Sequence, residues 1–313
     1  MPLASFILRR LLQLIPTLIF ILIVVFVLVR LLPGDPTSAI LGDRALDADV
    51  ERINRELGLD RSLPVQFWAF VKSLATGNLG NSISLKVPVT DLIVQRLPIT
   101  ILLTVMAALI ALVMAVPLAF LAALQRGRHT DAVIRGAFQV GLSMPVFYIG
   151  LLLLTVFGAK LGWFPVGGYG DGFWEHLHHL FLPAFTLALS LAAIVMRNLR
   201  AAIIGVVDAD YVQFARAKGL ATRLVMLRHV LRNALIPMVT YFGIQLAGLL
   251  TGAVVTEQVF SRPGLGRVAI TAIGNRDFPL IQGTVLVTAV VYVLVSLVVD
   301  LSYAVIDPRI RYE

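Results

Sequence analysis

The chain has 313 residues, of which 58% are hydrophobic and 14% charged, and its mean hydropathy is +0.90. Soluble domains carry about 45–50% apolar and about 25% charged residues, so this composition excludes an ordinary soluble enzyme and a disordered chain. The absence of cysteine excludes disulfides, thiolate metal sites and a cysteine nucleophile.

Six apolar stretches are long enough to cross a bilayer, which requires about 20 residues for each crossing. They are Leu11–Val29, Ile99–Leu124, Gly136–Phe157, Leu180–Leu199, Leu235–Thr256 and Gly283–Ile306. The sequence therefore predicts an all-α membrane protein with six transmembrane helices. The first stretch follows Arg9 and Arg10 and exceeds the about 7–15 apolar residues of a signal peptide, so we expect a retained anchor.

The distribution of Lys and Arg predicts the orientation of the spans, because these residues collect in short cytoplasmic loops. With the N-terminus inside, the cytoplasmic set is Arg9, Arg10, Arg126, Arg128, Arg135, Arg197, Arg200, Arg216, Lys218, Arg223, Arg228, Arg232, Arg309 and Arg311. The short outer loops hold only Lys160, Arg262, Arg267 and Arg276. Both termini are therefore expected in the cytoplasm. This asymmetry explains the net charge of +8, which does not indicate nucleic-acid binding. Arg197 and Arg200, at the inner end of the fourth span, are expected to reach the lipid headgroups.

The segment between the first two spans, residues 31–98, is expected outside the membrane and contains two helical patterns. Asp47 suits an N-cap and Gly58 a C-terminal stop, which predicts a first short helix between them. A second short helix is predicted from Pro64. Its apolar face is expected to contain Phe67, Trp68, Val71 and Leu74. The segment suits a lid over the spans or a docking surface for an extracytoplasmic partner, and the two roles are compatible.

The loop 205–234, between the fourth and fifth spans, is cytoplasmic by the charge distribution. It predicts a short helix capped by Asp208 and ended by Gly219, which permits a positive φ. A second short helix is predicted from a cap at Thr222, and Pro237 marks the entry into the fifth span. Its basic residues would also suit anionic lipid, but the caps and the breaker favour a surface presented to a protein partner.

Several segments recur in a characteristic order along the chain. The loop contains DYVQFARAKGL at Asp210–Leu220, LRH at Leu227–His229 and RNALIP at Arg232–Pro237. The other segments are LPGDP at Leu32–Pro36, SMPVF at Ser143–Phe147, EQVFSRPGLGR at Glu257–Arg267, NRD at Asn275–Asp277 and DPR at Asp307–Arg309. Together they resemble the permeases of ABC importers, in particular the dipeptide, oligopeptide and nickel branch, whose EAA loop corresponds to residues 205–234. The Glu-Ala-Ala of that loop falls on Gln213, Phe214 and Ala215, so no acidic contact is expected at Gln213.

The resemblance implies a type I ABC importer permease fold in the bacterial inner membrane. It also implies as partners a second, different but homologous permease subunit, two ATP-binding subunits and an extracytoplasmic substrate-binding protein. The residues that the resemblance places against an ATPase are Asp210, Tyr211, Ala215, Arg216, Ala217 and Gly219. ATP and magnesium would belong to those subunits, because this sequence has no G-x-x-x-x-G-K-[ST] phosphate-binding pattern. We therefore expect a transporter subunit with no cofactor, metal or catalytic residue of its own.

The chain is expected to divide into residues 1–30 with the first span, the outer segment 31–98, and a five-span core at 99–313.

Within the core, Gln245, Thr251 and Ser143 are candidates for the substrate pathway, because polar side chains in hydrocarbon favour interior sites. The run around Ser143 is similar to the motif of intramembrane serine proteases. No histidine falls inside a span to serve as the base, so Ser143 and Pro145 predict a helix bend instead.

Three histidines cluster before the fourth span, at His176, His178 and His179, near Asp171 and Glu175. A metal site is one interpretation, since nickel carriers belong to the resembled branch. Loop histidines that are solvated or packed on headgroups are commoner, and we favour that interpretation.

A stand-alone secondary transporter or channel is the alternative function. Such carriers commonly use ionisable residues within their spans, and only Asp300 and Glu257 are candidates here. Di- or oligopeptides are the expected substrate of the importer, with nickel, glutathione, opines and sugars as alternatives.

Overall fold

The computed structural model describes residues 3–31 and 60–306, and these residues are almost entirely helical, as predicted. In chain order the helices are α1 (Leu3–Leu31), α2 (Leu63–Ala75), α3 (Val89–Leu124), α4 (His129–Ser143), α5 (Val146–Leu153), α6 (Phe173–Val207), α7 (Asp210–Ala217), α8 (Thr222–Leu224), α9 (Arg232–Val259), α10 (Leu265–Gly274) and α11 (Phe278–Ile306). Two π-helical segments, π1 (Leu154–Lys160) and π2 (Val225–Leu231), directly follow α5 and α8. The motifs at Leu32–Pro36 and Asp307–Arg309, and the helix predicted between Asp47 and Gly58, lie outside the described residues.

Five described helices are long and apolar enough to cross a membrane. They are Arg10–Leu31 of α1, all of α3, all of α6, Tyr241–Val259 of α9 and Phe278–Leu301 of α11. A sixth crossing is obtained if α4 and the α5–π1 helix form one broken span. The prediction of six spans is therefore supported by length and composition.

The third predicted span is not the straight helix Gly136–Phe157. Helix α4 ends at Ser143, and the helix that resumes at Val146 is bent from it by 104°. Met144 is extended, with φ −89° and ψ 136°, because the ring of Pro145 disfavours a helical conformation in the preceding residue. The predicted bend at Ser143 and Pro145 is confirmed.

Two of the spans are longer helices than hydropathy alone predicts. Helix α3 begins at Val89, ten residues before the predicted Ile99. Helix α6 has 35 residues, about 50 Å at 1.5 Å per residue, which exceeds the hydrocarbon thickness of about 30 Å. The extra turns contain polar residues, which a search for apolar stretches leaves out.

Helix α2 confirms the predicted helix at Pro64, which lies in its first turn after Ser62. Its half-buried face contains Phe67, Phe70, Val71 and Leu74, while Trp68 is 69% exposed. The predicted face is therefore wrong for Trp68, whose place is taken by Phe70, one helical turn beyond Phe67. Both phenylalanine rings lie against Phe26 of α1, with centroids at 5.2 and 6.0 Å.

The described residues form two compact units, one of which contains 3–31, 60–100 and Pro263–Leu294. Its core contains Val29, Val89, Ile93, Leu265, Ala272, Phe278, Leu280 and Ile281. A buried carboxylate, Asp277, accepts hydrogen bonds from Ser82 Oγ at 2.5 Å and from Ser84 Oγ and N at 2.7 and 3.0 Å. Asp277 thereby fixes the turn that the bridge between Asn81 and Pro88 encloses.

The other unit contains Ile101–Arg262 and residues 295–306. Helix α6 is its most buried element and packs against α4, α5 and α9. Two glycines allow close approach inside this unit. Gly252 lets α9 approach α6, and Gly150 lets α5 approach the end of α9. A Cβ atom on Gly252 would lie 2.9 Å from Cδ2 of Leu187, and one on Gly150 would lie 3.1 Å from the ring of Phe260.

Candidate functional site

Helix α7 is a short amphipathic helix. One face packs on its own unit, and the opposite face is exposed on the surface of the chain. Val212 and Ala215 are buried, and the helix packs against α6 and π2. Tyr211 and Phe214 are 46% and 62% exposed. An exposed tyrosine and phenylalanine side by side on an anchored helix form a surface suited to a protein partner.

The structure exposes five of the six residues predicted to contact a partner. These are Asp210, Tyr211, Arg216, Ala217 and Gly219, whereas Ala215 is 6% exposed and faces its own unit. Phe214, which was not among the six, is the most exposed large apolar residue of the helix. Its position between Gln213 and Ala215 in the motif is the signal that could have identified it.

The ends of α7 differ partly from the sequence-based prediction. Ala209, not Asp208, occupies the N-cap position, and Asp208 ends the preceding helix α6. The predicted stop is confirmed, because Gly219 has φ +78° and its amide donates to the carbonyl of Arg216 at 2.9 Å. In the part of the chain that the structure describes, no atom beyond the two neighbouring residues lies within 4 Å of a Cβ built on Gly219, so the requirement for glycine is conformational rather than steric.

The second helix predicted in this loop is not separate from the fifth span. From Thr222 the chain is helical through α8, π2 and α9 to Val259. Ala221 holds the cap position that Thr222 was predicted to fill, and Pro237 lies inside α9 rather than at its start. The segment behind α7 is therefore one long helix with a π-helical section.

A buried ion pair ties α4 to α6. Asp131 is 1% exposed and accepts from Nε and Nη2 of Arg200 at 2.8 and 2.7 Å. The same carboxylate accepts from the amide of Gly127 at 3.2 Å and from Nε of Arg135 at 3.2 Å. The sequence analysis did not identify this partner of Arg200, a carboxylate 69 residues away in the chain.

The exposed side of α9 is a stripe of residues at helical spacing, made of Tyr241, Ile244, Gly248, Thr251 and Val255. Thr251, a predicted pathway residue, lies on this stripe, and Gln245 lies beside it and is half-buried. Ser143 is exposed at the end of α4, and its hydroxyl donates to the carbonyl of Gln139 at 2.9 Å.

The three histidines bind three different backbone carbonyls. His176 contacts the carbonyl oxygen of Tyr169 at 3.0 Å, His178 that of Trp163 at 2.9 Å and His179 that of Glu175 at 2.8 Å. In the part of the chain that the structure describes, no group of three or more His, Asp or Glu side chains could hold a metal ion. The geometry supports a role in shaping the loop before α6.

Arg262, three residues beyond the end of α9, holds the same loop. Its guanidinium is buried and donates from Nη1 to the carbonyl of Gly168 at 2.6 Å and from Nη2 to that of Pro165 at 2.7 Å. Burial lowers the pKa of Arg262 to about 10, so the side chain is still charged at neutral pH. The sequence identified Arg262 only as a loop cation.

Comparison with known families gives two matches that together cover nearly the whole chain. Residues 115–312 match the family described as binding-protein-dependent transport system inner membrane component. Residues 3–104 match the corresponding N-terminal family of these membrane components.

Relatives of known name match over 309 residues, which is 99% of this chain and 99% of theirs. The chain is 41% identical to the glutathione transport system permease protein GsiC of Pectobacterium atrosepticum and 39% identical to that of Escherichia coli strain K12.

Solved structures show the same fold at lower identity. A chain of an amino acid ABC transporter crystallised with histidines has a TM-score of 0.52 and 21% identity, covering 71% of this chain and 95% of its own. A chain of the MetNI methionine ABC transporter in an inward-facing conformation has a TM-score of 0.57 and 19% identity, covering 69% and 96%.

Proposed function

Because this chain belongs to the family of inner membrane components of binding-protein-dependent transport systems, we propose that it moves its substrate by alternating access and receives the driving motion through α7. The chain is a permease subunit of an ABC importer and a multi-pass protein of the bacterial inner membrane. This membership favours the ATP-driven importer over a carrier that works alone.

The single observation that carries the proposed role of α7 is that one face of the helix is anchored while the opposite face is exposed. Val212 and Ala215 fix the helix on α6 and π2, and Tyr211, Phe214 and Arg216 are left exposed. The surplus of Lys and Arg in this loop supports a cytoplasmic location for it and for both termini. We propose that a separate ATPase, which binds ATP and magnesium, docks on this exposed face.

The proposed partners are two ATPase subunits, an extracytoplasmic substrate-binding protein and a second, non-identical permease. The stripe on α9 supports the second permease, because a helix face with Ile244, Gly248 and Val255 exposed can pack against another helix. Within the described residues, no atom outside the local helix backbone lies within 4 Å of a Cβ built on Gly248, whereas a Cβ on Gly252 would contact Leu187. Small residues on such a face allow two helices to approach closely.

We propose short peptides as the substrate class, with glutathione, a tripeptide, as the first candidate. The support is that relatives at about 40% identity over the whole chain are named for glutathione transport. Gln245 and Thr251 remain the candidate pathway residues. Isothermal calorimetry of the cognate binding protein with glutathione, dipeptides, longer peptides and nickel would test the class, and tight binding of nickel alone would contradict it.

The location of α7 is tested by labelling. The chain contains no cysteine, so A217C provides a single thiol on an exposed position of α7. A membrane-impermeant maleimide should label A217C in inside-out vesicles and not in intact spheroplasts. The opposite pattern would place α7 outside and contradict the proposal.

The coupling itself is tested by reconstitution. Proteoliposomes with both permeases, the ATPases and the loaded binding protein should take up substrate only when ATP is present on the ATPase side. Uptake by the permeases without the ATPases would contradict the proposed function.

A further inference from the structure

Helix α4, the first half of the broken span, has few buried contacts to hold it in place. Of its 15 residues only Asp131 and Ile134 are buried, and the helix packs against α6. Ser143, at its far end, is exposed, and the chain bends by 104° beyond it. The position of α4 therefore depends strongly on what holds Asp131 and Ile134.

Asp131 is held by a geometry that an apolar contact cannot provide. The two oxygens of the carboxylate accept two parallel bonds from Arg200, and the Gly127 amide and Arg135 complete its coordination. A bidentate arginine–carboxylate pair fixes direction as well as distance. Because the carboxylate is 1% exposed while α4 packs on α6, removing either partner would leave a buried charge without its counterion, which is strongly unfavourable.

Arg200 is also close to α7 along the chain. It lies about two helical turns before Val207, where α6 ends, and α7 begins at Asp210. Since α7 packs against α6, a displacement of α7 reaches Arg200 through one continuous helix.

We propose that Asp131 and Arg200 are positioning residues that make α4 move together with α6 when α7 is displaced. The pair would carry the motion of the ATPase from the loop to the broken span. This inference rests on the proposed function of α7 and adds the route by which its motion enters the membrane.

The first test measures coupling in the reconstituted complex. D131N keeps the shape of the side chain and removes its charge, and R200K keeps the charge and removes the bidentate bond. We expect uptake per ATP hydrolysed to fall by about tenfold or more in D131N, because the buried charge of Arg200 loses its partner. The fall should be smaller in R200K, which keeps a cation beside Asp131. The exchange D131R/R200D should recover part of the loss. R128Q, which changes an exposed arginine in the preceding turn, should be unaffected.

The second test does not depend on whether the D131N complex assembles. The native chain has no cysteine, so V133C and A201C place spin labels on exposed positions of α4 and α6. In the complex with intact Asp131, the distance between the labels should be the same with and without bound nucleotide. In D131N its distribution should broaden or shift.

A label distance that changes with nucleotide while Asp131 and Arg200 are intact would overturn the inference, and so would normal coupling in D131N. Uptake by the unmutated permeases without ATPase is a different result, which would overturn the proposed function first.

Discussion

Gly283 of α11 lies directly against Val89 of α3, and a Cβ atom on Gly283 would be 2.6 Å from Cγ1 of Val89. Val89 is fully buried, and Ile93 would also be in close contact, at 3.3 Å. Valine is branched at Cβ and cannot rotate away easily. The start of α11 can therefore approach α3 this closely only because residue 283 has no side chain.

We expect G283A to destabilise the protein by about 1–3 kcal/mol, the usual cost of inserting a methyl group into a packed core. The measurement is the thermal stability of the detergent-solubilised chain, read from the monodisperse fraction after heating. G274A is the matched control, because no atom lies within 4 Å of a Cβ on Gly274. Equal stability of G283A and G274A would show that the contact with Val89 is not tight.

Asp277 predicts a pH-dependent contribution to stability. Burial alone would raise the pKa of Asp277, but the hydrogen bonds from Ser82 and Ser84 outweigh it and hold the pKa below its usual value. A pKa that is lower in the folded state means that the charged carboxylate stabilises the fold. This contribution is complete above the unfolded pKa of about 4 and is lost as the pH falls below it.

We therefore expect D277N to be less stable than the native chain by about 1–3 kcal/mol at pH 7. The difference should stay constant down to about pH 5 and shrink below about pH 4, where the unfolded chain takes up a proton that the native carboxylate does not yet bind. D91N, which changes an exposed carboxylate at the start of α3, should alter stability by less than about 0.5 kcal/mol. A difference between D277N and the native chain that does not change with pH would contradict this assignment.

Features that depend on neighbouring residues were predicted well from the sequence. The spans follow from local hydropathy, the bend from the ring of Pro145, and the turn after α7 from Gly219, whose φ is +78°. The first turns of α3 and the turns at both ends of α6 were missed because they contain polar residues. The buried face of α7 was assigned only in part, because so short a helix carries apolar residues on both faces. Ala215 is buried against the rest of the unit, whereas Phe214 is exposed.

Features that depend on distant residues could not be predicted. Asp131 and Arg200 are 69 residues apart in sequence, and Asp277 and Ser82 are 195 apart. Neither hydrophobic periodicity nor motif spacing indicates which distant hydrogen-bond donor a buried carboxylate will bind. The two pairs that hold α4 and the turn after Asn81 therefore emerge only from the structure.

Gly219 tests the requirement for a positive φ beside the proposed docking helix. A β-branched residue in this conformation costs about 1–2 kcal/mol, whereas asparagine tolerates it better. We expect uptake per ATP to decrease in the order Gly219, G219N, G219V, with membrane insertion unchanged. G205A, at a glycine in α6 with no atom within 4 Å of its Cβ, is the control. Equal uptake by G219V and G205A would contradict a coupling role for this turn.

Arg262 should control the mobility of the loop before α6. R262M keeps most of the aliphatic stem but removes the two bonds to the carbonyls of Pro165 and Gly168. R262K retains a positive charge, but a single ammonium lacks the planar fork that reaches two carbonyls at once. We expect hydrogen–deuterium exchange of peptides covering residues 162–172 to become about tenfold faster in R262M, since hydrogen bonds to charged groups contribute about 1.5–3 kcal/mol.

R262K should give an intermediate exchange rate, and K160M, which removes an exposed cation near the same loop, should leave exchange unchanged. The order distinguishes the two properties of Arg262. If charge alone held the loop, R262K would match the native chain, because lysine also supplies a positive charge. If the paired geometry holds it, R262K lies between the native chain and R262M. Native-like exchange in R262M would show that the loop is fixed by the histidine contacts to Tyr169, Trp163 and Glu175 instead.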